Sequence, residues 1–521
     1  MADVIIVGAG PVGLMLANQL QRRGIRYRLL ESRGGREYWC KALGVSPRTL
    51  EIFDQMGLLT EALAHGIFFT ASNTVVDGKT VARLEIPPDR YPYSPMGMGQ
   101  FDTEEILERD LRRRGGSIEW SSQVTSFRRT MSGVEVEWTS PSGSHQETCR
   151  YLVGCDGAHS LVRKGLGLTF EGEKFDQHFF LGDVELEWEL SHTEVQKFIP
   201  LNKDGQLTNV VVVVPIPGNE KRYRLSMALP PQLVENPLEP MEMLRQVCLP
   251  VLPEGTRIEN LRWASHYSIS HRLANKYREG NCFLAGDAAH IHPPIGGLGM
   301  NTGLQDAYNL GWKLAAVVRG EALDGLLDSY HDERHKVGQE VVELTAARMK
   351  DATAQKDRDE GAEERANTQF FVHYRDSKLA LGSLPPGDGG AAPGERLDYL
   401  QGLRRPGLFA DLRLIEFLRH GEFQLLGYGG DWAAFAQLAE ELRAAFGSQI
   451  YCLAIAEPNA AQPPESVVCL HDPQGQARQT WGDGPGAILV RPDGYVGWRG
   501  RPQRDLELDR FLVQVSIGLQ P

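Results

Sequence analysis

Positive charge is in deficit in this 521-residue sequence: 55 Lys and Arg stand against 68 Asp and Glu, a formal net of −13. A protein that grips a phosphate backbone needs the opposite balance, so no nucleic-acid partner is expected. Long hydrophobic runs are also missing. The longest is the short stretch around Val210 to Val214, far below the roughly 20 apolar residues of a spanning helix, and no membrane partner is expected. Met1-Ala2-Asp3 runs straight into Val4-Ile5-Ile6-Val7 with no basic segment ahead of an apolar core, so a secretory signal is not expected either. The seven cysteines (Cys40, Cys149, Cys155, Cys248, Cys282, Cys452 and Cys469) form no Cys-x-x-Cys pair and no metal-like spacing to a histidine. They read as reduced thiols of a cytoplasmic protein, with no metal site.

What is present builds an ordinary buried core, since 41% of residues are hydrophobic and 24% charged, which excludes a disordered chain. The apolar run to Val7 leads into Gly8-Ala9-Gly10-Pro11-Val12-Gly13 and then Leu14, Leu16, Ala17 and Leu20, a strand, glycine turn and helix. Gly24 ends that helix and Tyr27-Arg28-Leu29-Leu30-Glu31 reads as a second strand, completing a βαβ unit. Gly8, Gly10 and Gly13 let the chain turn tightly and let a pyrophosphate approach the helix N-terminus, with Pro11 and Val12 in the same turn. Glu31 stands 18 residues past Gly13, where a carboxylate accepts hydrogen bonds from ribose hydroxyls, and Ser32 and Arg33 follow it. This pairing specifies a dinucleotide without deciding which one.

Two further segments, Tyr151 to Gly157 and Cys282 to Asp287, each look like a buried strand ending in a glycine and acid turn. A carboxylate at Asp287 can hold ribityl hydroxyls. The glycine-rich helix start that follows, with Gly297, Gly299, Met300 and Asn301, can aim backbone N–H groups at a flavin pyrimidine oxygen. The whole stretch Gly286-Asp287-Ala288-Ala289-His290-Ile291-His292-Pro293-Pro294-Ile295-Gly296-Gly297-Leu298-Gly299-Met300-Asn301 resembles the flavin motif of the class A flavoprotein aromatic hydroxylases. Asp156-Gly157, with Ala158, Ser160, Val162 and Arg163, is similar to the second signature of that family, associated there with the FAD pyrophosphate and reduced nicotinamide. Gln100, opening Gln100-Phe101-Asp102-Thr103, matches its FAD-contacting glutamine. The resemblance covers roughly residues 1–380 and is nearest the branch of phenol hydroxylase, hydroxyphenylpropionate hydroxylases and aromatic-polyketide hydroxylases. One departure is Lys41, where the family usually carries arginine; lysine keeps the charge and loses the planar fork.

The resemblance implies FAD as cofactor, NADPH or NADH as a transient co-substrate, O2, and a small aromatic or polyketide substrate hydroxylated through a flavin C4a-hydroperoxide. It accounts for the missing second glycine fingerprint, because members bind NAD(P)H without a Rossmann domain for it. His292 and Pro294 are the expected catalytic residues, Pro294 also as a wall of the cofactor site, while His290 is expected to be structural. Phe180 and Val212 are expected to line the substrate pocket. The expected fold is α/β: a glutathione-reductase-like FAD-binding Rossmann-type domain with an inserted, mainly antiparallel β-sheet substrate domain, followed by a thioredoxin-like domain. Its boundaries are 1–177 for the first FAD-binding part, with a short substrate-domain segment near 70–97, then 178–267 for the inserted sheet and 268–382 for the helical second part. A Pro/Gly-rich linker, 383–395, precedes 396–521, which has no redox Cys-x-x-Cys. A homodimer is one expectation for the assembly. Two other readings stand beside the hydroxylase: a flavin-binding protein that does not turn over and stabilises a reactive intermediate or partner, and, within the class, an antibiotic-modifying monooxygenase.

Overall fold

The computed structural model describes residues 1–38, 42–87, 92–201, 210–293, 295–354, 367–382 and 390–516. Strand β1 (Val4–Val7) is apolar throughout and buried, helix α1 (Pro11–Arg22) returns across it, and strand β2 (Tyr27–Leu30) lies parallel to β1. Tyr151–Gly154 and Cys282–Leu284 add parallel strands on the other side of β1, and Arg278–Glu279 closes that edge antiparallel. Runs without alternation, such as Val4-Ile5-Ile6-Val7, belong in such a sheet because both faces are covered. One cover is the pair formed by α1 and the helix Leu298–Val318. They cross so closely at Gly311 that a Cβ there would overlap Gln19.

The second sheet has eight strands, in the order His290–Ile291, Arg257–Ala274, Phe170–Glu187, Arg222–Ala228, Val211–Pro215, Glu194–Ile199, Ala71–Val76 and Lys79–Glu85. All its pairings are antiparallel except that of Glu194–Ile199 with Ala71–Val76. Phe170–Glu187 and Arg257–Ala274 are each 18 residues long, so positions 178 and 267 fall inside strands rather than between units. Because side chains alternate across a strand, cross-strand register sorts the residues by face. Phe180, Val184, Leu186, Val211, Val213, Tyr223, Leu225 and Met227 form one apolar core, with Leu244 of the helix Pro240–Cys248 packed into it. Phe179, Leu181, Val212, Ser226, Ser265 and Tyr267 lie on the opposite face.

The C-terminal unit is built on a six-stranded mixed sheet, in the order Leu381–Gly382, Val496–Gly500, Gly486–Val490, Phe423–Tyr428, Ile450–Ala456 and Val468–His471. Its core is continuous with that of the first unit, and Trp312 meets Phe423 edge-on at 5.7 Å. The expected linker changes character where it is described. Residues 383–389 lie outside the described residues, while Gly394 donates its N–H to Val496 at 2.7 Å and accepts from Tyr374 at 2.6 Å, so 390–395 are hydrogen-bonded into the C-terminal unit. A Pro/Gly-rich composition cannot distinguish a free spacer from a packed irregular segment, because both need turns. No helix of the described residues is long and apolar enough to cross a membrane.

Candidate active site

Parallel neighbours end at the same edge of a sheet. The order Cys282–Leu284, Tyr151–Gly154, β1, β2 therefore gathers the Gly286-Asp287 turn, the Asp156-Gly157 turn, the Gly8–Gly13 turn and Glu31 along one edge, which is where open α/β sheets bind ligands. Within the fingerprint the glycines differ in duty. Gly8 has φ +99°, and a Cβ on Gly13 would overlap the Gly8 carbonyl oxygen, so both are demanded by the turn itself. Gly10 has φ −70° and ψ −176°, which any residue adopts, and a Cβ there meets nothing within 4 Å. It caps α1 with no side-chain hydrogen bond, and Pro11 opens the helix. Free N–H groups facing open space make a cradle of the kind a pyrophosphate fills. Val12 is wedged between two other glycines: a Cβ on Gly286 or Gly303 would stand 2.8 or 2.7 Å from its Cγ2.

The Glu31 carboxylate is buried and ties the end of β2 to the fingerprint. It accepts from the Ala9 N–H at 2.7 Å, the Arg33 N–H at 2.9 Å and the Ser32 hydroxyl at 3.3 Å, and pairs with the Arg33 guanidinium at 3.1 Å. Burial pushes this carboxyl up, but the Arg33 hydrogen bonds and the Ala9 N–H outweigh it and hold the group below its ordinary range. Gln100, at the start of the helix Gln100–Arg113, pins the chain after Lys41. Its N–H donates to the Ala42 carbonyl at 2.8 Å, its side-chain oxygen accepts from the Ala42 N–H at 3.4 Å, and its amide donates to Glu104 at 2.8 Å. Lys41 itself lies outside the described residues.

Asp156 accepts from the Leu161 and Val162 N–H groups at 2.7 and 3.1 Å through one oxygen, while its other oxygen is enclosed with no partner among the described residues. Arg163, buried, donates to the Ala158 carbonyl and the Ala288 carbonyl, both at 2.8 Å, and so ties the two glycine and acid turns to each other. Asp287 is exposed between the buried Gly286 and Ala288. The turn that presents it is held by a residue the sequence reading gave no role. Asp306 accepts from the Gly286 N–H at 3.0 Å, pairs with His290 at 2.7 Å, and receives Arg334 at 2.8 Å. Burial raises the Asp306 carboxyl, but the Arg334 charge and the hydrogen bonds from His290 and Arg334 prevail and hold it low. An acid among Leu304, Ala307, Tyr308 and Leu310 on an apolar helix is the signal that marks such a residue. This pair holds the buried His290 in the scaffold.

Gly296 and Gly297 take φ +80° and +66°, and the helix Leu298–Val318 begins with no side-chain cap. The Asn301 side chain belongs to the scaffold. Its oxygen accepts from the Ser46 N–H at 2.9 Å and the Thr49 hydroxyl at 2.7 Å, and its amide donates to the Gly44 and Gly297 carbonyls at 3.0 and 2.7 Å. All four of its hydrogen-bonding positions are spent on the scaffold, which leaves its backbone N–H. Met300 is half-buried against the core.

His292 is bound through Nδ1 to the Pro293 carbonyl at 2.9 Å, which makes Nδ1 the donor, and Nε2 is enclosed with no partner among the described residues. Nε2 lies 3.5 Å from where a Cβ on Gly299 would stand, against the first turn of the helix. Burial pushes its pKa down to about 4, so the ring is a neutral acceptor near pH 7. Pro294 lies outside the described residues. Phe180 and Val212, both expected to line the pocket, lie on opposite faces of the sheet: Phe180 belongs to the apolar core, while Phe179, one residue earlier, shares the face of Val212 and stacks on Tyr267 with ring centroids 5.9 Å apart. A shift of one residue reverses the face, and three consecutive apolar residues carry no alternation to show which way they point.

The residues present fit a flavin dinucleotide: an open cradle at Gly10, an exposed carboxylate at Asp287, an uncapped glycine helix start, and the enclosed free Nε2 of His292 against that helix. An α/β fold with these turns along one edge of its parallel sheet is that of a dinucleotide-binding flavoprotein. Residues 1–345 match the family model described as FAD binding domain, and residues 391–515 the one described as aromatic-ring hydroxylase, C-terminal. The chain is 34% identical to 6-methylpretetramide 4-monooxygenase of Streptomyces rimosus, covering 96% of this chain and 91% of that one. It is 31% identical to pentachlorophenol 4-monooxygenase of Sphingobium chlorophenolicum, covering 99% and 97%. Among solved structures it is similar to aklavinone-11 hydroxylase in ternary complex with FAD and aklavinone, with a TM-score of 0.81, 26% identity and 99% of each chain covered. The chain belongs to the FAD-dependent aromatic-ring monooxygenase family.

Proposed function

We propose that this monooxygenase takes electrons from NADPH or NADH and places one oxygen atom of O2 on an electron-rich ring, a phenol or a polycyclic polyketide. The observation that carries the reading is the gathering of three glycine-containing turns and the Glu31 carboxylate on one sheet edge, together with a neutral, enclosed histidine against the glycine-rich helix start. When bound, FAD supplies the chemistry that accepts hydride and activates oxygen. The fingerprint from Gly8 to Gly13 holds the pyrophosphate, Glu31 the ribose, Asp287 the ribityl chain, and the N–H groups from Gly297 to Asn301 the pyrimidine edge. Gln100 fixes the chain at Ala42, and Asp156 with Arg163 fixes the turn beneath the pyrophosphate.

Our reading gives His292 Nε2, an acceptor with no partner among the described residues, the role of receiving the O–H of a phenol and so raising the electron density of the ring. The substrate lies against the sheet face of Phe179, Leu181, Val212 and Tyr267. This apolar wall also excludes water from the reacting atoms. The relatives' substrates, a pretetramide, a chlorinated phenol and aklavinone, favour a phenolic ring in either a small or a polycyclic frame. The C-terminal unit is read as a thioredoxin-like module without dithiol chemistry.

The test is incubation of the FAD-loaded protein with NADPH, then NADH, in air with monocyclic phenols and aromatic polyketides, following nicotinamide oxidation and product mass together. Substrate-stimulated oxidation with a one-oxygen gain in mass is expected. Bound flavin that neither nicotinamide reduces, whatever ring is present, would instead favour a protein that binds flavin without turnover. Oxygen gain only on an antibiotic would place it among the antibiotic-modifying members.

A further inference from the structure

Four ionisable side chains are sealed between the C-terminal unit and the two helices behind the flavin turns. Arg491 and Asp493 belong to the hairpin that joins Gly486–Val490 to Val496–Gly500, while Lys313 and Glu333 come from the helices Leu298–Val318 and Asp328–Ala354; none is more than 2% exposed. The Arg491 guanidinium donates to both oxygens of Glu333 at 2.7 and 2.9 Å and to both oxygens of Asp493 at 3.0 and 2.6 Å. Glu333 also receives Lys313 at 2.7 Å, Asn309 at 2.8 Å and Ser377 at 2.7 Å. Asp493 also receives Asn309 at 3.1 Å and Trp312 at 3.2 Å, and its carbonyl accepts from Arg48 at 2.8 Å.

Charges withdrawn from water are tolerated only while every partner is in place, so such a cluster is intolerant of slippage. Asn309, Trp312 and Lys313 sit at spacings of three and four, one stripe of their helix, and the cluster therefore fixes that helix in rotation and in height against the hairpin. The same helix starts at the Gly297 turn. One turn before Asn309 it carries Asp306, which holds the Gly286 N–H and His290. A second route runs through Arg334, the neighbour of Glu333 in sequence, which bonds Asp306 at 2.8 Å and the Tyr374 hydroxyl at 2.9 Å; Tyr374 packs on Tyr495 of the hairpin, ring centroids 4.3 Å apart.

We propose that the Arg491–Tyr495 hairpin is a positioning element for the flavin site, acting through Glu333, Asn309 and Asp306 on the turns at 286–292 and 297–301. The C-terminal unit then completes the cofactor site rather than merely adjoining it. This inference rests on the assignment of those two turns to the flavin. Coupling between binding and position is reciprocal, so FAD must also steady the hairpin.

The experiment is hydrogen exchange on the full-length wild-type protein with and without FAD, together with FAD affinity and the bound-flavin absorption spectrum of Arg491→Lys, Asp493→Asn and a control, Arg23→Ala. The control breaks a different contact between the same two units, Arg23 to the Gly421 carbonyl at 2.8 Å, at the end of α1 away from Gly10. FAD is expected to slow exchange at 491–495 as well as at 286–305. The two hairpin variants are expected to bind FAD about tenfold more weakly with an altered flavin band, within the usual range of such couplings, while Arg23→Ala keeps wild-type affinity and spectrum. Protection at 286–305 with none at 491–495 overturns the proposal, even where the variants fail to fold. So do hairpin variants that melt earlier yet keep wild-type affinity and spectrum. Protection at neither segment despite FAD binding removes the site assignment itself, and the proposal with it.

Discussion

Gly13 stands so close to the carbonyl oxygen of Gly8 that a Cβ added to it would overlap that oxygen, while a Cβ on Gly10, between them in sequence, would meet nothing within 4 Å. The two glycines should therefore fail differently. Gly13→Ala is expected to lose the fold, seen as insoluble protein or a lost melting transition. Gly10→Val is expected to keep its far-UV spectrum and to bind FAD weakly, because the added methyl groups enter the space left for phosphate. Gly10→Val protein that stays fully yellow through gel filtration would contradict this placement of the pyrophosphate.

The turn that carries Asp287 separates ligand binding from support. Asp287→Ala, at an exposed side chain, should cost little stability and much FAD, whereas Asp306→Ala strands the buried Arg334 and His290 and should cost about 3–5 kcal/mol in addition. Urea unfolding of the two apo-proteins beside flavin titrations distinguishes them. Equal stabilities would show that the Asp306 network is not a support.

His292 makes a prediction about pH. Its folded pKa, about 4, lies below the ordinary value of 6.5, so the unfolded chain binds the extra proton between those values and stability is lost as pH falls from 6.5 toward 4. The loss approaches about 3 kcal/mol by linkage. His292→Gln should flatten the melting temperature between pH 4.5 and 7. With substrate it should lower kcat several-fold without introducing a new ionisation near pH 6, since the wild-type ring is already neutral there. A kcat profile that rises with deprotonation of a group near 6.5 and vanishes in the variant would refute the neutral-acceptor role.

The substrate sheet offers a paired comparison. Phe180→Ala removes a buried ring from the sheet and helix core and is expected to cost about 3–5 kcal/mol, with KM for a ring substrate nearly unchanged. Phe179→Ser, on the face of Val212 and Tyr267, is expected to raise KM with a smaller loss of stability. The reverse pattern would show that the substrate lies on the other side of the sheet.

Sequence by itself determined the elements whose demands are local. Gly8 needs a positive φ and Gly13 needs to be without a side chain, Glu31 ends a short strand, and Asp156 and Asp287 each follow an apolar run with a glycine beside them, so these turns could be read before the strands were placed. The tertiary structure decided everything that depends on partners distant in the chain or on which side of a strand faces inward. Nothing near Asn301 in sequence shows that its side chain spends its hydrogen bonds on Ser46, Thr49, Gly44 and Gly297. Phe179 and Phe180 are indistinguishable in a run of apolar residues, and only register with Ala228 and Met227 puts one on each face. The Arg491-Pro492-Asp493-Gly494 turn between its two strands is a local feature, but nothing near it in sequence names Glu333 or Lys313. The physical reason is one of range: backbone conformation is constrained by neighbouring residues, whereas burial and charge pairing are settled only when segments hundreds of residues apart are brought into contact.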